Sequence, residues 1–194
     1  LSHLCNDGLH ERAAQQRQVV DAAVSAGVQR IVYTGLAIKD IATSATHALM
    51  ASHFETEDHI RATGVDYTFL RNTMYAEAIP AIIGPHVLPQ VIAVNAGAGR
   101  VPYALRQELG EAANVLLQPG HHHRTYHLTG ATALSFAELA EALSTLSGRY
   151  VGYRDIDPQS LRKVLNDAGL PPFMVQLTVD TLTDIKHGQY DLHS

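Results

Sequence analysis

Twice in its first half this sequence runs a helix-forming segment into a glycine and then directly into a short strand-forming run. The first pass is ERAAQQRQVVDAAVSAG followed by RIVYT; the second is HALMASHFETEDHIRATG followed by VDYTFLR. Val20, Ala23 and Val24 recur at helical spacing and mark one apolar stripe. Gly27 and Gly64 each stand where a helix ends in a left-handed residue, which glycine adopts without a Cβ clash. Ile31, Val32 and Tyr33 form the compact β-branched and aromatic run of a strand buried between helices. Parallel strands need a crossover to reconnect, so helix, glycine, strand in repetition points to an α/β fold with a parallel sheet.

The texture changes beyond Asn72. Pro80, Pro85 and Pro89 interrupt the segment, and NAGAGRVP is a glycine-punctuated loop. RQELGEAANVLL is an amphipathic helix and RTYHLTG a strand. SFAELAEALSTLSG reads as a helix with a capping box of Ser135 and Glu138 and a stop at Gly148. YVGYRDI is a strand; DPQSLRKVLNDAGLPP is a short helix with Asp157 as cap and Pro158 in its first turn, and the last stretch is helical. In the β–α connection ahead of HALMASHF, Thr43, Ser44 and Thr46 all offer themselves as caps.

At 194 residues, 46% hydrophobic and 17% charged, the chain is sized for one substantial core or one plus an appendage. Its net charge of −5 and scattered Lys and Arg exclude the electrostatic footprint of a nucleic-acid binder. A single cysteine, Cys5, cannot close an internal disulfide, and no run approaches the roughly 18 apolar residues of a membrane span. Both fit a cytoplasmic setting. The opening LSHLCNDG has neither an initiator Met nor a signal-peptide pattern, and reads as the interior of a longer protein.

The runs RIVYTG, HFETEDHI, GVDYTFLRNTMYAE, GAGRVPYALRQELGEAANVLL and TYHLTGATALSFAELAEALS, in that order, resemble the NmrA-like atypical short-chain dehydrogenases/reductases. Within them the likeness is to the NAD(P)H:quinone oxidoreductase type, with triphenylmethane reductases as near relatives. The resemblance implies an NAD(P)-binding Rossmann-like parallel sheet lacking its N-terminal part, followed by a small α+β substrate region. Residues 1–77 are then the C-terminal half of the dinucleotide-binding domain. Residues 78–194 are mainly the substrate-binding or capping region, with about 100–130 returning to the sheet. The glycine-rich turn that holds a cofactor pyrophosphate is absent. NAGAGR offers Gly97 and Gly99 as G-x-G, without the flanking strand, helix start and third glycine that the fingerprint needs.

Reductases of this fold that act on carbonyls carry a Tyr, and a Lys four residues later, on one helix face. Aligning their S-K-x-x-x-E with SHFETE puts His53 at the Lys position and Leu49 at the Tyr position, so the proton donor is gone. That loss suits a quinone acceptor, whose hydroquinone anion is delocalised and takes its proton from water. His53 is the candidate catalytic side chain by this alignment, against a plain boundary histidine. The resemblance further implies cofactor contacts from Thr34 and Gly35 after one strand, and from Asn72, Thr73, Met74, Tyr75 and Glu77 after the next. Asn72 is then the amide contact and Tyr75 a wall of the acceptor pocket; as core, Met74 and Tyr75 would be ordinary. The loop 5–8 would lie near the cofactor.

GHHHRTYH holds His121, His122, His123 and His127 without the partner ligands of a zinc site, so no metal is expected and a solvated loop is the reading. Glu108 is expected to bond locally. The expected activity is hydride transfer from NADPH or NADH to a small quinone-like acceptor. The alternatives are a non-catalytic NmrA-type dinucleotide sensor and an inactive fragment. A homodimer is compatible with the resemblance.

Overall fold

A computed structural model describes residues 7–84 and 91–192 of the chain. Its first element, α1 (Asp7–Ser25), ends in a turn at Gly27, whose φ is +77°, and β1 (Arg30–Leu36) follows. The second pass gives α2 (His47–Thr63), a left-handed Gly64 at φ +75°, and β2 (Asp66–Asn72). After the short α3 (Ile79–Ile83) come β3 (Val91–Val94), β4 (Arg100–Val101), α4 (Arg106–Leu116) and β5 (Arg124–Leu128). The chain closes with β6 (Leu134–Ser135), α5 (Phe136–Ser147), β7 (Gly152–Asp155), α6 (Pro158–Asp167) and α7 (Pro172–Lys186).

The main sheet is parallel in the order β1-β2-β5. The register sets Tyr33 beside Phe69, Thr34 beside Leu70 and Leu36 beside Asn72. Since successive side chains alternate, Ile31, Tyr33, Tyr67 and Phe69 share one face and Thr34, Leu70 and Asn72 the other. On the first face Val20 of α1 and Ile60 of α2 close a core around Phe69, which is wholly buried. On the second, α4 contributes buried Leu109 and Leu116. The Arg30 guanidinium joins the layers: it donates to Thr68 Oγ1 at 2.7 Å and to the carbonyls of Leu116, Leu117 and Gln118 at 2.7, 2.9 and 3.2 Å. A cation is stable there because the last carbonyls of a helix lack internal partners.

A larger core lies beyond the sheet. Ile92 and Val94 of β3, Phe136 and Leu139 of α5, Leu161 of α6, and Leu182 and Ile185 of α7 are all buried in it. β3 pairs with β7 in parallel, a strand that the proline-broken sequence around it conceals. The expected capping box is present: Ser135 Oγ accepts from the Glu138 amide at 3.3 Å, and Glu138 Oε2 accepts from the Ser135 amide at 2.8 Å. Gly97 and Gly99 serve packing. A Cβ at Gly99 would stand 2.0 Å from the Ile185 carbonyl oxygen, and the Gly97 amide is already spent on Asp155 Oδ1 at 2.9 Å.

Candidate functional site

Ligands of open parallel sheets bind outside the carboxyl ends of the strands, and the candidate residues of β1 and β2 collect at that edge. Thr34, Asn72, Tyr75 and Arg106 border a cleft of about 400 Å³ floored by Leu70 and Leu109. Asn72 Oδ1 is buried there with no hydrogen-bond partner. An unpaired buried carbonyl is costly, and Asn72 is the residue of the cleft lining that carries one. The Arg106 guanidinium stacks over the Tyr75 ring at 4.9 Å, and Glu77 Oε1 accepts from the Arg106 amide at 3.0 Å. That bond holds the Glu77 carboxyl below its ordinary range. Segment 75–77 and the start of α4 are therefore one wall.

Thr73 is buried with its hydroxyl also unpartnered, and Met74 packs against the larger core. Gly35 lies within β1, where its missing side chain leaves room for a charge: a Cβ would come 3.0 Å from Glu57 Oε1. Glu57, 1% exposed, accepts from Arg71 Nε at 2.9 Å and Nη2 at 2.6 Å, and from Arg61 Nη2 at 3.3 Å. Arg71 in turn stacks over Phe54 of α2 at 4.8 Å.

His53 stands apart from the Asn72 cleft, on the opposite face of the sheet. Its Nδ1 is 2.9 Å from the Tyr33 hydroxyl and its Nε2 is 2.9 Å from Arg12 Nη2. Guanidinium can only donate, so Nε2 is the bare nitrogen and Nδ1 carries the proton toward Tyr33. Burial first, and the Arg12 cation second, press the His53 pKa down to about 4, and burial raises that of Tyr33. Arg12 and Tyr33 also line a second groove of about 450 Å³ between α1 and β1, in which Val19 is 70% exposed. The outer edge of β1 pairs with no strand among the described residues. Leu49 is half-buried on the same helix.

Sequence reasoning missed Arg12, Tyr33 and Arg106. Only Arg106, opening an amphipathic helix, carried a signal. The histidine run forms the exposed turn ahead of β5 that the sequence suggests, and Asp66 at the start of β2 faces it. Asp66 accepts from His122 at 2.9 Å and His123 at 2.7 Å, which lowers its pKa, and His121 pairs with Tyr126 at 2.8 Å. No group suited to a metal ion occurs among the described residues. Glu108 bonds locally, accepting from the Leu105 amide at 2.8 Å. Cys5 and its neighbour Asn6 lie outside the described residues.

A parallel sheet flanked by helices, with a polar-rimmed cleft at its carboxyl edge, defines a Rossmann-like α/β protein. The profile of the NmrA-like family matches residues 3–88. Quinone oxidoreductase 2 of Escherichia coli (strain K12) is 33% identical over 172 residues, 88% of this chain and 59% of that protein. Citrobacter sp. triphenylmethane reductase, solved with NADP(H), superposes with a TM-score of 0.84 at 34% identity, over 99% of this chain and 66% of that one. The NADPH-dependent quinone oxidoreductase of E. coli, solved with NADPH, gives 0.80 at 32%, over 92% and 62%. The chain belongs to the NmrA-like family of atypical short-chain dehydrogenases/reductases. It spans 59% of the curated E. coli relative. No helix among the described residues is long and apolar enough to cross a membrane.

Proposed function

We propose that this chain contributes the acceptor side of an NAD(P)H-dependent oxidoreductase that passes hydride to a quinone or similar planar acceptor without a Tyr/Lys relay. The observation that carries the reading is the unpartnered Asn72 Oδ1 beside a cleft of about 400 Å³ at the sheet's carboxyl edge. The names of the relatives, a quinone oxidoreductase and a dye reductase crystallised with NADP(H), support it.

The residues present fit the nicotinamide end of a dinucleotide. Asn72 Oδ1 offers an acceptor for a carboxamide N–H, with Thr34 beside it and Tyr75 as an aromatic wall that Arg106 braces. Glycines that would cradle a pyrophosphate at a helix start do not occur among the described residues. When bound, reduced nicotinamide supplies the hydride. The protein's task is then to hold two planar partners together and exclude water between them. A quinone that gains hydride becomes a hydroquinone anion and takes its proton from solvent. No acid is required of α2, and none is offered: both His53 nitrogens are engaged and the ring is neutral near pH 7.

The test follows the absorbance of reduced nicotinamide on mixing the protein with NADPH and a benzoquinone. Oxidation is expected, with kcat/KM falling about tenfold in Asn72→Ala, the effect of one lost hydrogen bond. Tight dinucleotide binding without oxidation would overturn the reading in favour of a sensor.

A further inference from the structure

The start of α2 has no cap of its own. Thr46 occupies the N-cap position, yet its side chain makes no capping bond to the helix. The N-cap residue and the one before it are held instead from the far end of the chain. Asp184 on α7, 1% exposed, accepts from Ser44 Oγ at 2.6 Å, the Ala45 amide at 2.7 Å, the Thr46 amide at 3.1 Å and Thr46 Oγ1 at 3.0 Å. Ser44 and Thr46 are themselves buried, at 7% and 0% exposed. Gln189 continues the clasp: its carbonyl accepts from the Lys39 amide at 2.9 Å, its Oε1 from the Asp40 amide at 3.1 Å, and its Nε2 donates to Thr43 Oγ1 at 2.9 Å. Nearly the whole connection from β1 to α2 is thus tied to α7 and the turn that follows it.

We propose that Asp184 is the positioning residue of α2, fixing from the C-terminal helix where that helix begins and so where Leu49, His53 and Glu57 stand. Four donors converge on one buried carboxylate, and a carboxylate at a helix N-terminus also meets the positive end of the helix dipole. The anchor makes the placement of α2 depend on α7, whose Leu182 and Ile185 sit in the larger core. The proposal is independent of the functional reading, whose cleft is lined by no residue of α2. The contact can be tested without turnover.

The experiment is amide exchange by nuclear magnetic resonance, with the His53 ring resonances as a second readout, on the wild type and Asp184→Asn. The expected result is exchange about tenfold faster or more at Ala45, Thr46, Leu49 and Met50, and displaced His53 ring signals, with β2 and β5 amides unchanged. Unaltered exchange at Ala45 and Thr46, or an equal rise throughout the protein, overturns the proposal. Should Asp184→Asn fail to fold, Ser44→Ala removes one donor and leaves the carboxylate three. It is expected to raise exchange at Ala45 and Thr46 by a smaller factor, and no local rise there overturns the proposal equally. A quinone assay that fails while this pattern holds would sink the functional reading alone.

Discussion

His53 illustrates how a neighbour decides a side chain's chemistry. Held between Arg12 and the Tyr33 hydroxyl, it has a pKa of about 4 against an ordinary 6.5. The unfolded chain therefore binds the extra proton between those values, and the stability of the neutral ring, complete above pH 6.5, is lost as pH falls toward 4. His53→Asn is expected to remove on the order of 2 kcal/mol of the wild type's loss across that window. Urea denaturation at a series of pH values would show it as a flatter profile. The same logic governs Glu57. Glu57→Gln leaves Arg71 without its bidentate partner in a half-buried setting, and a loss of roughly 2–4 kcal/mol is expected in denaturant titration. The exposed Arg61–Asp58 pair beside it should matter far less.

Among the elements, helix ends are secured by three different means. α5 uses the local capping box of Ser135 and Glu138, and the Ser135 amide first, then Arg100 and the Ser135 hydroxyl, all donating to the Glu138 carboxylate, bring its pKa to about 2. α4 ends on Arg30 from a strand, and α2 begins on Asp184 from another helix. Arg30→Ala is expected to destabilise by about 1–2 kcal/mol, and Arg30→Lys by nearly as much, since one ammonium cannot reproduce the fork across Thr68 and three carbonyls. Thermal melts of the two variants against wild type would settle it. The local cap was legible because its partners are three residues apart. The remote ones were not, and Thr43, Ser44 and Thr46 looked like caps when two of them are donors to someone else's carboxylate.

For the whole molecule, the clasp at Asp184 and Gln189 joins the sheet's β1–α2 connection to the C-terminal core. Leu182→Ala, which hollows that core, is expected to cost about 2–5 kcal/mol. Through the clasp it should also hasten amide exchange in α2, which residue-resolved exchange would detect; a rise confined to α5, α6 and α7 would contradict this. Both large grooves border β1: one on each face, beside an edge that no described strand covers.

The sequence by itself determined the elements and their order. Glycine stops, apolar periodicity and near-neighbour caps are written within a turn or two of the chain, and such signals survive without the fold. It also placed Thr34, Asn72 and Tyr75 at one edge, because a parallel strand always delivers its C-terminal residues there. Only the tertiary structure decided the rest. It set β3 against β7, put His53 on the face away from Asn72, reserved the space at Gly35 for Glu57, and tied the residues just ahead of α2 to α7. Those outcomes depend on which distant atoms arrive within about 3 Å of each other, a matter of packing that no local pattern records.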